Sequence, residues 1–415
     1  MLEKMKSAWR IPELRKKIIY TFGMLLLYRL LCCIPVPGVN IAAVSEAVKS
    51  FSVLDFMNMM TGGSFQNMTI MAMGITPYIN ASIILQLLTV AIPTLEKLAK
   101  EGPEGRKKIT EWTRYLTVVL AFIQAVGLVF AMRATAKEGF LWYVVIGLSM
   151  AAGTSLAMWI GERITEKGIG NGISLLIMAG IVSNMFNWAT SALAGMVDGS
   201  VSVIAVVAIV VAFLAMIVAI TYVDMGERRV PVQYAKRVVG RKMYGGQSTH
   251  IPMKLNSTGV MPLIFGFAIL QFPATIFAFF PSSGINLWWS NFQAGIWYQV
   301  VLAVLIIAFT YFYTSITFNP VDISKNLQQN GGIIPGIRQG RATTDYLSRV
   351  SSRLTLFSAL FLAVLATIPT MLTRIFGINA PFGASSVLIA VSVGIETIRQ
   401  VEAQMVMRHH KGFLG

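Results

Sequence analysis

Ten apolar segments, each long enough to cross a bilayer, alternate along this chain with connections whose excess positive charge lies on one side only. Each segment supplies roughly the 17–25 apolar residues that a helix needs to traverse the hydrocarbon core. The spans run Ile18 to Ile34, Gly74 to Ile92, Leu116 to Met132, Phe140 to Ile160 and Ile173 to Ala194. The second set runs Val201 to Val223, Val260 to Phe280, Ile296 to Phe318, Leu354 to Leu372 and Phe382 to Ile398. A chain so patterned is a polytopic membrane protein, and its work is done within or across a membrane.

Composition agrees. Of 415 residues, 55% are hydrophobic and only 13% charged, where a soluble domain carries about a quarter. The first span is expected to be retained as a helix. Its apolar run is too long for a cleavable leader, and it continues as IPVPG with no small-residue cleavage site.

Charge sets the orientation. With the N-terminus inside, 28 of the 34 Lys and Arg residues fall in inner segments, together with 12 of the 18 acids. The outer loops hold four of each. The formal net charge of +16 therefore sits on one face, and the positive-inside rule predicts that both termini are cytoplasmic. The adjacent pair Cys32 and Cys33 makes no disulfide framework and reads as small residues of the first helix.

Ten spans divide into two sets of five. Because five is odd, the second set starts on the opposite side, so any structural repeat must be inverted, with a pathway at the interface of its halves. No sequence identity between the halves supports this; topology alone does. Three places break the regular pattern. The outer connection from Pro35 to Met73 ends in a Met- and Phe-rich run, SVLDFMNMMTGGSFQNMTIMAMG, too short and too glycine-broken to span. It reads either as a re-entrant half-helix held within protein or as an amphipathic turn on the surface. The inner connections of residues 224–258 and 319–353 are each about 35 residues long, where most connections are short. The first alternates apolar and basic residues around turn signals and predicts an irregular hairpin. Long basic loops on one face suit docking to something acidic, such as RNA phosphates or an acidic protein surface; plain positive-inside bias would also explain their charge.

Several chemistries are missing. The three histidines, His250, His409 and His410, lie outside the spans, so no zinc site of the HExxH kind fits in the membrane. There is no GxSxG nucleophile and no aspartate pair within spans. Ion-coupled transport of a small solute is the rival reading, since inverted five-helix repeats suit it too. Coupled transporters bury ionisable groups near the midplane, and here Arg29 is the clear mid-span candidate. It reads also as a snorkelling or helix-capping residue. Glu396, Arg399 and Glu402 cluster near the inner end of the tenth span, and Thr76, Asn80, Gln86 and Gln124 are the main neutral polar points. A third reading is an insertase or scaffold with no through-pore. No metal, cofactor or catalytic residue is expected, and no GxxxxGK[ST] loop supplies energy.

Four long motifs then identify a resemblance. MGITPYINASIILQLLTVAIPTLEKLAKEGPEGRKKITEWTRY, ITEKGIGNGIS, VPVQYAKR with GGQSTHIPMKLNSTGVMP, and FNPVDISKNL with PGIRQG resemble the SecY family, channel subunits of the bacterial protein translocase. The match runs from about Ile11 through the tenth span. It implies an all-α polytopic membrane protein of ten transmembrane helices in two inverted five-helix halves, with a re-entrant plug segment. The expected divisions are an inner segment 1–17, an N-terminal half 18–195, a C-terminal half 196–404 and a tail 405–415.

The resemblance also implies roles. A pore ring would comprise Ile75, Ile79, Leu176, Ile264 and Ile389, aliphatic side chains that dewet a constriction yet give a passing peptide nothing to bind. By sequence alone these are ordinary packing residues. A plug would lie at about 51–65, and spans two, three, seven and eight would form a lateral gate with Asn80 and Gln124 as polar contacts. Arg237, Arg241, Lys242 and Arg338 would dock the ribosome, through rRNA phosphates and proteins, and the SecA motor ATPase. Where the family commonly has PGIRPG, this chain has Gln339, expected to loosen that tip. Small membrane subunits of the SecE and SecG type, signal peptides, nascent chains and lipid complete the implied partners, in a bacterial plasma membrane.

Overall fold

The computed structural model describes residues 9, 11–41, 44, 58, 61–131, 139–198, 202–234, 237–239, 242–244, 248–278, 284–376 and 384–411. Each of the ten apolar segments lies on a helix. They are α1 (Pro12–Leu31), α2 (Thr76–Ala91), α4 (Pro103–Ala131), α5 (Phe140–Lys167) and α6 (Gly172–Val197), then α7 (Val203–Met225), α8 (Met261–Ala278), α10 (Ile296–Thr317), α12 (Arg341–Phe376) and α13 (Ala384–Lys411). Three shorter helices are α3 (Pro93–Lys100), α9 (Gly284–Ala294) and α11 (Pro320–Gln329). Among the described residues, six helices are long and apolar enough to cross a membrane alone, and α2 with α3 makes a seventh, bent by 103°.

Local chemistry sets the breaks. Ile92 precedes Pro93 and is extended, at φ −109 and ψ 114, because a following proline disfavours the helical region. Proline then opens α3 at its first position, where its missing N–H costs nothing. Asn171 caps α6, its Oδ1 accepting from the Ile173 and Ser174 amides at 3.1 and 3.3 Å. Asn319 caps α11 by accepting from the Val321 amide at 3.1 Å, a standard way to satisfy orphan amides. The α5–α6 turn is tight: a Cβ at Gly172 would lie 1.9 Å from the Gly161 carbonyl oxygen, so only glycine lets these helices meet.

The two sets of five pack alike. In the first, α2 packs on α4, α4 on α5, α5 on α6, and α1 on both α5 and α6. In the second, α8 packs on α10, α10 on α12, α12 on α13, and α7 on both α12 and α13. These are the same neighbour relations in the same order, and the odd count inverts one set against the other.

Beyond the bilayer-length part, several helices run on. The apolar run of the third span starts at Leu116, but α4 starts at Pro103; that of the ninth starts at Leu354, but α12 starts at Arg341. At 1.5 Å per residue α12 is about 54 Å long, against roughly 30 Å of hydrocarbon. Its projecting end supports a separate small core. There Val230, Val232 and Met253 pack with Leu327, Ile334 and Leu347. The strands above it are β1 (Glu227–Tyr234), β4 (Ser248–Lys254) and β5 (Gly332–Ile333), in the order β4-β1-β5, all antiparallel. β2 (Arg237–Val239) and β3 (Lys242–Tyr244) form a separate hairpin. The projecting hairpin expected at 224–258 is thus present. The segment 319–353 is not the loop that low hydropathy suggests but mostly helix, because its amphipathic α11 and the start of α12 bury one face in this small core.

Candidate functional site

All five residues of the expected ring meet in one apolar cluster. Ile75, Leu176 and Ile389 are buried within it, and Ile79 and Ile264 pack against it half-buried. They come from the turn before α2 (Ile75), from α2 and α6 of the first half, and from α8 and α13 of the second. A small cavity of about 10 Å³ on the first-half side of the cluster is lined by Tyr28, Thr61, Ile75, Thr76, Ile79, Leu176 and Ile177. Its walls join the ring to the Met- and Phe-rich segment through Thr61.

From Thr61 on, the described part of that segment is a run of turns held within protein, not an amphipathic turn on the surface. Of the expected plug, residues 51–57, 59 and 60 lie outside the described residues; Asn58 and 61–65 lie within them. Phe65, Met68, Ala72 and Met73 are buried against Ala125 and Val129 of α4 and Ile146 and Met150 of α5. Irregular backbone is tolerated at membrane depth only when protein satisfies it, and here it does. The Gly63 amide donates to the Asn58 carbonyl at 2.9 Å and the Thr69 amide to the Ser64 carbonyl at 3.1 Å. Asn58 Oδ1 accepts from the Gln66 amide at 2.9 Å, and Thr61 Oγ1 from the Phe65 amide at 3.2 Å. A short bridge, with the Val36 amide on the Met68 carbonyl and the Ile70 amide on that of Ile34, ties the run to the end of the first span.

The halves touch along two unlike seams. At the back, α6 packs against α13, and hydrogen bonds pin the α5–α6 turn and α1 to α13: the Gly170 amide donates to Gln400 Oε1 at 3.0 Å and Lys17 Nζ to Gln404 Oε1 at 3.3 Å. At the front, α4 meets α8 over a shorter contact. There Gln86 of α2 donates through Nε2 to the Tyr313 hydroxyl of α10 at 2.8 Å. Phe265 lies beside that bond, its ring tilted against Phe309 at 5.4 Å and edge-on to Tyr313 at 5.8 Å between centroids.

Asn80 and Gln124 lie half-buried on α2 and α4, and the bond that crosses the front seam is made by Gln86 and Tyr313. Gln86 was visible as a polar point in a span. Tyr313 carried no signal, because one tyrosine in an aromatic-rich helix reads as packing.

The basic face carries exposed Arg228, Lys325, Arg338, Arg341 and Arg349 around the sheet. Arg229 bonds Glu227 at 2.7 Å and holds its carboxyl below the usual range. Arg338 stands exposed at the turn after β5, whose shape is held by the Thr343 hydroxyl on its carbonyl at 2.8 Å. Beside it, Gln339 Nε2 donates to the Gly332 carbonyl of β5 at 3.2 Å. Arg237 and Lys242 sit on the β2–β3 hairpin, and Arg241 lies outside the described residues. Among the described residues no cluster of side chains could hold a metal.

Inverted helical halves that meet at an aliphatic cluster define the fold of a membrane channel. The comparisons agree. The family model described as SecY matches residues 69–398. The protein translocase subunit SecY of Streptomyces coelicolor is 42% identical over 443 residues, covering 100% of both chains. A solved structure, described as showing that the plug domain of the SecY protein stabilises the closed state of the translocation channel and maintains a membrane seal, superposes with TM-score 0.69 at 21% identity, covering 97% of each chain. Sec61 in the canine ribosome-channel complex from the endoplasmic reticulum superposes with TM-score 0.63 at 19% identity, again covering 97% of each. The chain belongs to the SecY family.

Proposed function

We propose that this chain is the central pore subunit of a protein-conducting channel, passing unfolded polypeptides across a membrane and releasing apolar segments sideways into lipid. The carrying observation is the waist, where aliphatic side chains from both halves converge and no charged group among the described residues lines the cavity. An ion-coupled transporter would need ionisable groups there. Ile75, Ile79, Leu176, Ile264 and Ile389 form the seal, and the run around 51–65 is the plug above it. The halves divide between α6 and α7, near residue 195. The front seam is the lateral gate, with Asn80 on α2 and Gln124 on α4 as polar contacts.

The basic face is cytoplasmic, as charge bias requires, in a bacterial plasma membrane. Arg237, Arg241, Lys242 and Arg338 dock the ribosome and a SecA-type motor, which supplies the energy; subunits of the SecE and SecG type brace the halves. The test is translocation of a secretory precursor into proteoliposomes holding this chain, those subunits, the motor and ATP. Protease-protected precursor that depends on this chain is expected. No protection, under conditions where another channel works, would overturn the reading. Arg338→Glu should weaken motor binding by about tenfold at low salt, and less at high salt, because exposed charges are screened. Unchanged binding at low salt would make Arg338 a topology determinant only.

A further inference from the structure

Arg29 is the one charged side chain well inside the first span, and neither transport chemistry nor snorkelling accounts for where it points. Its Nη2 donates to the Ala179 carbonyl of α6 at 2.7 Å, a hydrogen bond from one helix to the middle of another. Against the same guanidinium lies the turn of the plug segment. A Cβ placed on Gly62 would stand 2.8 Å from both Nη1 and Nη2 and 2.9 Å from the Gly180 carbonyl oxygen. Gly62 has φ +66 and Gly63 φ +87, so the chain turns there in a conformation that glycine alone adopts without strain. Thr61, next in line, is buried and lines the residual cavity with Tyr28 and Leu176.

From this geometry we propose that Arg29 is the seat of the plug: a positioning residue whose guanidinium ties α1 to α6 and presents the flat surface on which Gly62 rests. A charged donor bonded to a helix carbonyl, with the Gly62 turn packed against its face, is a strong but breakable support in a low-dielectric site. It couples two events. Any opening that draws α6 away from α1 removes the Ala179 carbonyl from the guanidinium and takes the seat from under the plug. Lysine cannot replace it, because a point ammonium lacks the planar fork. The proposal rests on reading this segment as the plug, and the experiment separates the two.

The full chain, purified with the subunits that accompany it, carries alanine at Cys32 and Cys33 and a single reporter, Thr61→Cys. A membrane-impermeant maleimide added from the outer side reads plug position, and planar-bilayer recording reads the seal. At rest, Arg29→Met and Gly62→Ala should each raise both labelling rate and channel openings by roughly ten- to a hundredfold, the range set by losing a hydrogen bond to a charged group. Arg29→Lys should give a smaller rise, and Arg29→Met with Gly62→Ala should add little to either alone, since both break one contact. A purely structural arginine would lower abundance without selectively exposing position 61. Unchanged resting labelling and openings in Arg29→Met would overturn the proposal. If that variant does not accumulate, Gly62→Ala decides by the same criterion from the plug side. If position 61 stays protected even while a precursor is being translocated, the plug reading itself fails. If it becomes labelled then, yet both variants match wild type at rest, only the seat fails.

Discussion

Replacing Ile79 and Ile264 together by serine should raise the resting ion conductance of the reconstituted channel by more than about tenfold. Both side chains pack on the waist cluster from opposite halves. Each serine forfeits roughly 1.5–3 kcal/mol of apolar burial and offers a hydroxyl to water. A constriction that stays dry because its walls are apolar becomes wettable, and about 1.4 kcal/mol already corresponds to a tenfold change in a population. The substitution should leave motor binding at the basic face intact, since that face has its own core around Leu347. Bilayer recordings that match the unsubstituted chain would mean that the seal lies elsewhere.

Joining the front seam should stop transport altogether. With cysteines at positions 86 and 313 and none at 32 and 33, a short bismaleimide with a reducible spacer should bring precursor translocation to background, and a thiol should restore it. Gln86 and Tyr313 already touch across the seam at 2.8 Å, so the bridge traps an existing arrangement. The converse change, Tyr313→Phe, removes one interhelical hydrogen bond. Such bonds are worth about 0.6–2 kcal/mol in membranes, so the open population should rise roughly three- to thirtyfold, seen as more frequent openings or faster export of precursors with weak signals. Full translocation through the bridged seam would show that the mouth is not between α2 and α10.

Much of this molecule is legible in one dimension. The ten helices lie where hydropathy puts them, because a bilayer rewards apolar length directly and leaves little for tertiary context to override. Helix ends are another matter. The starts of α4 and α12 lie 13 residues upstream of their apolar runs, since hydropathy marks the part in lipid while backbone hydrogen bonding carries the helix into water. The segment 319–353 looks like a loop for the same reason: its apolar face is spread over spaced positions such as Leu327 and Leu347, which become a core only when the sheet lies on them. The ring residues are a different case. Any isoleucine in a span looks like any other, and family resemblance alone singled out these five.

What the sequence by itself determined is therefore the class, the places of the apolar helices, the charge asymmetry and, through long motifs, the family. Those properties are local or additive: apolar length, summed charge, residue order. Only the tertiary structure brought the five aliphatic residues that the resemblance named into one cluster, and Gln86 and Tyr313, 227 positions apart, into contact across the front seam. It alone set Arg29 beneath Gly62, between α1 and α6. Each of these depends on two side chains brought together by helix packing, and a contact between distant residues leaves no trace in the hydropathy or spacing of either one.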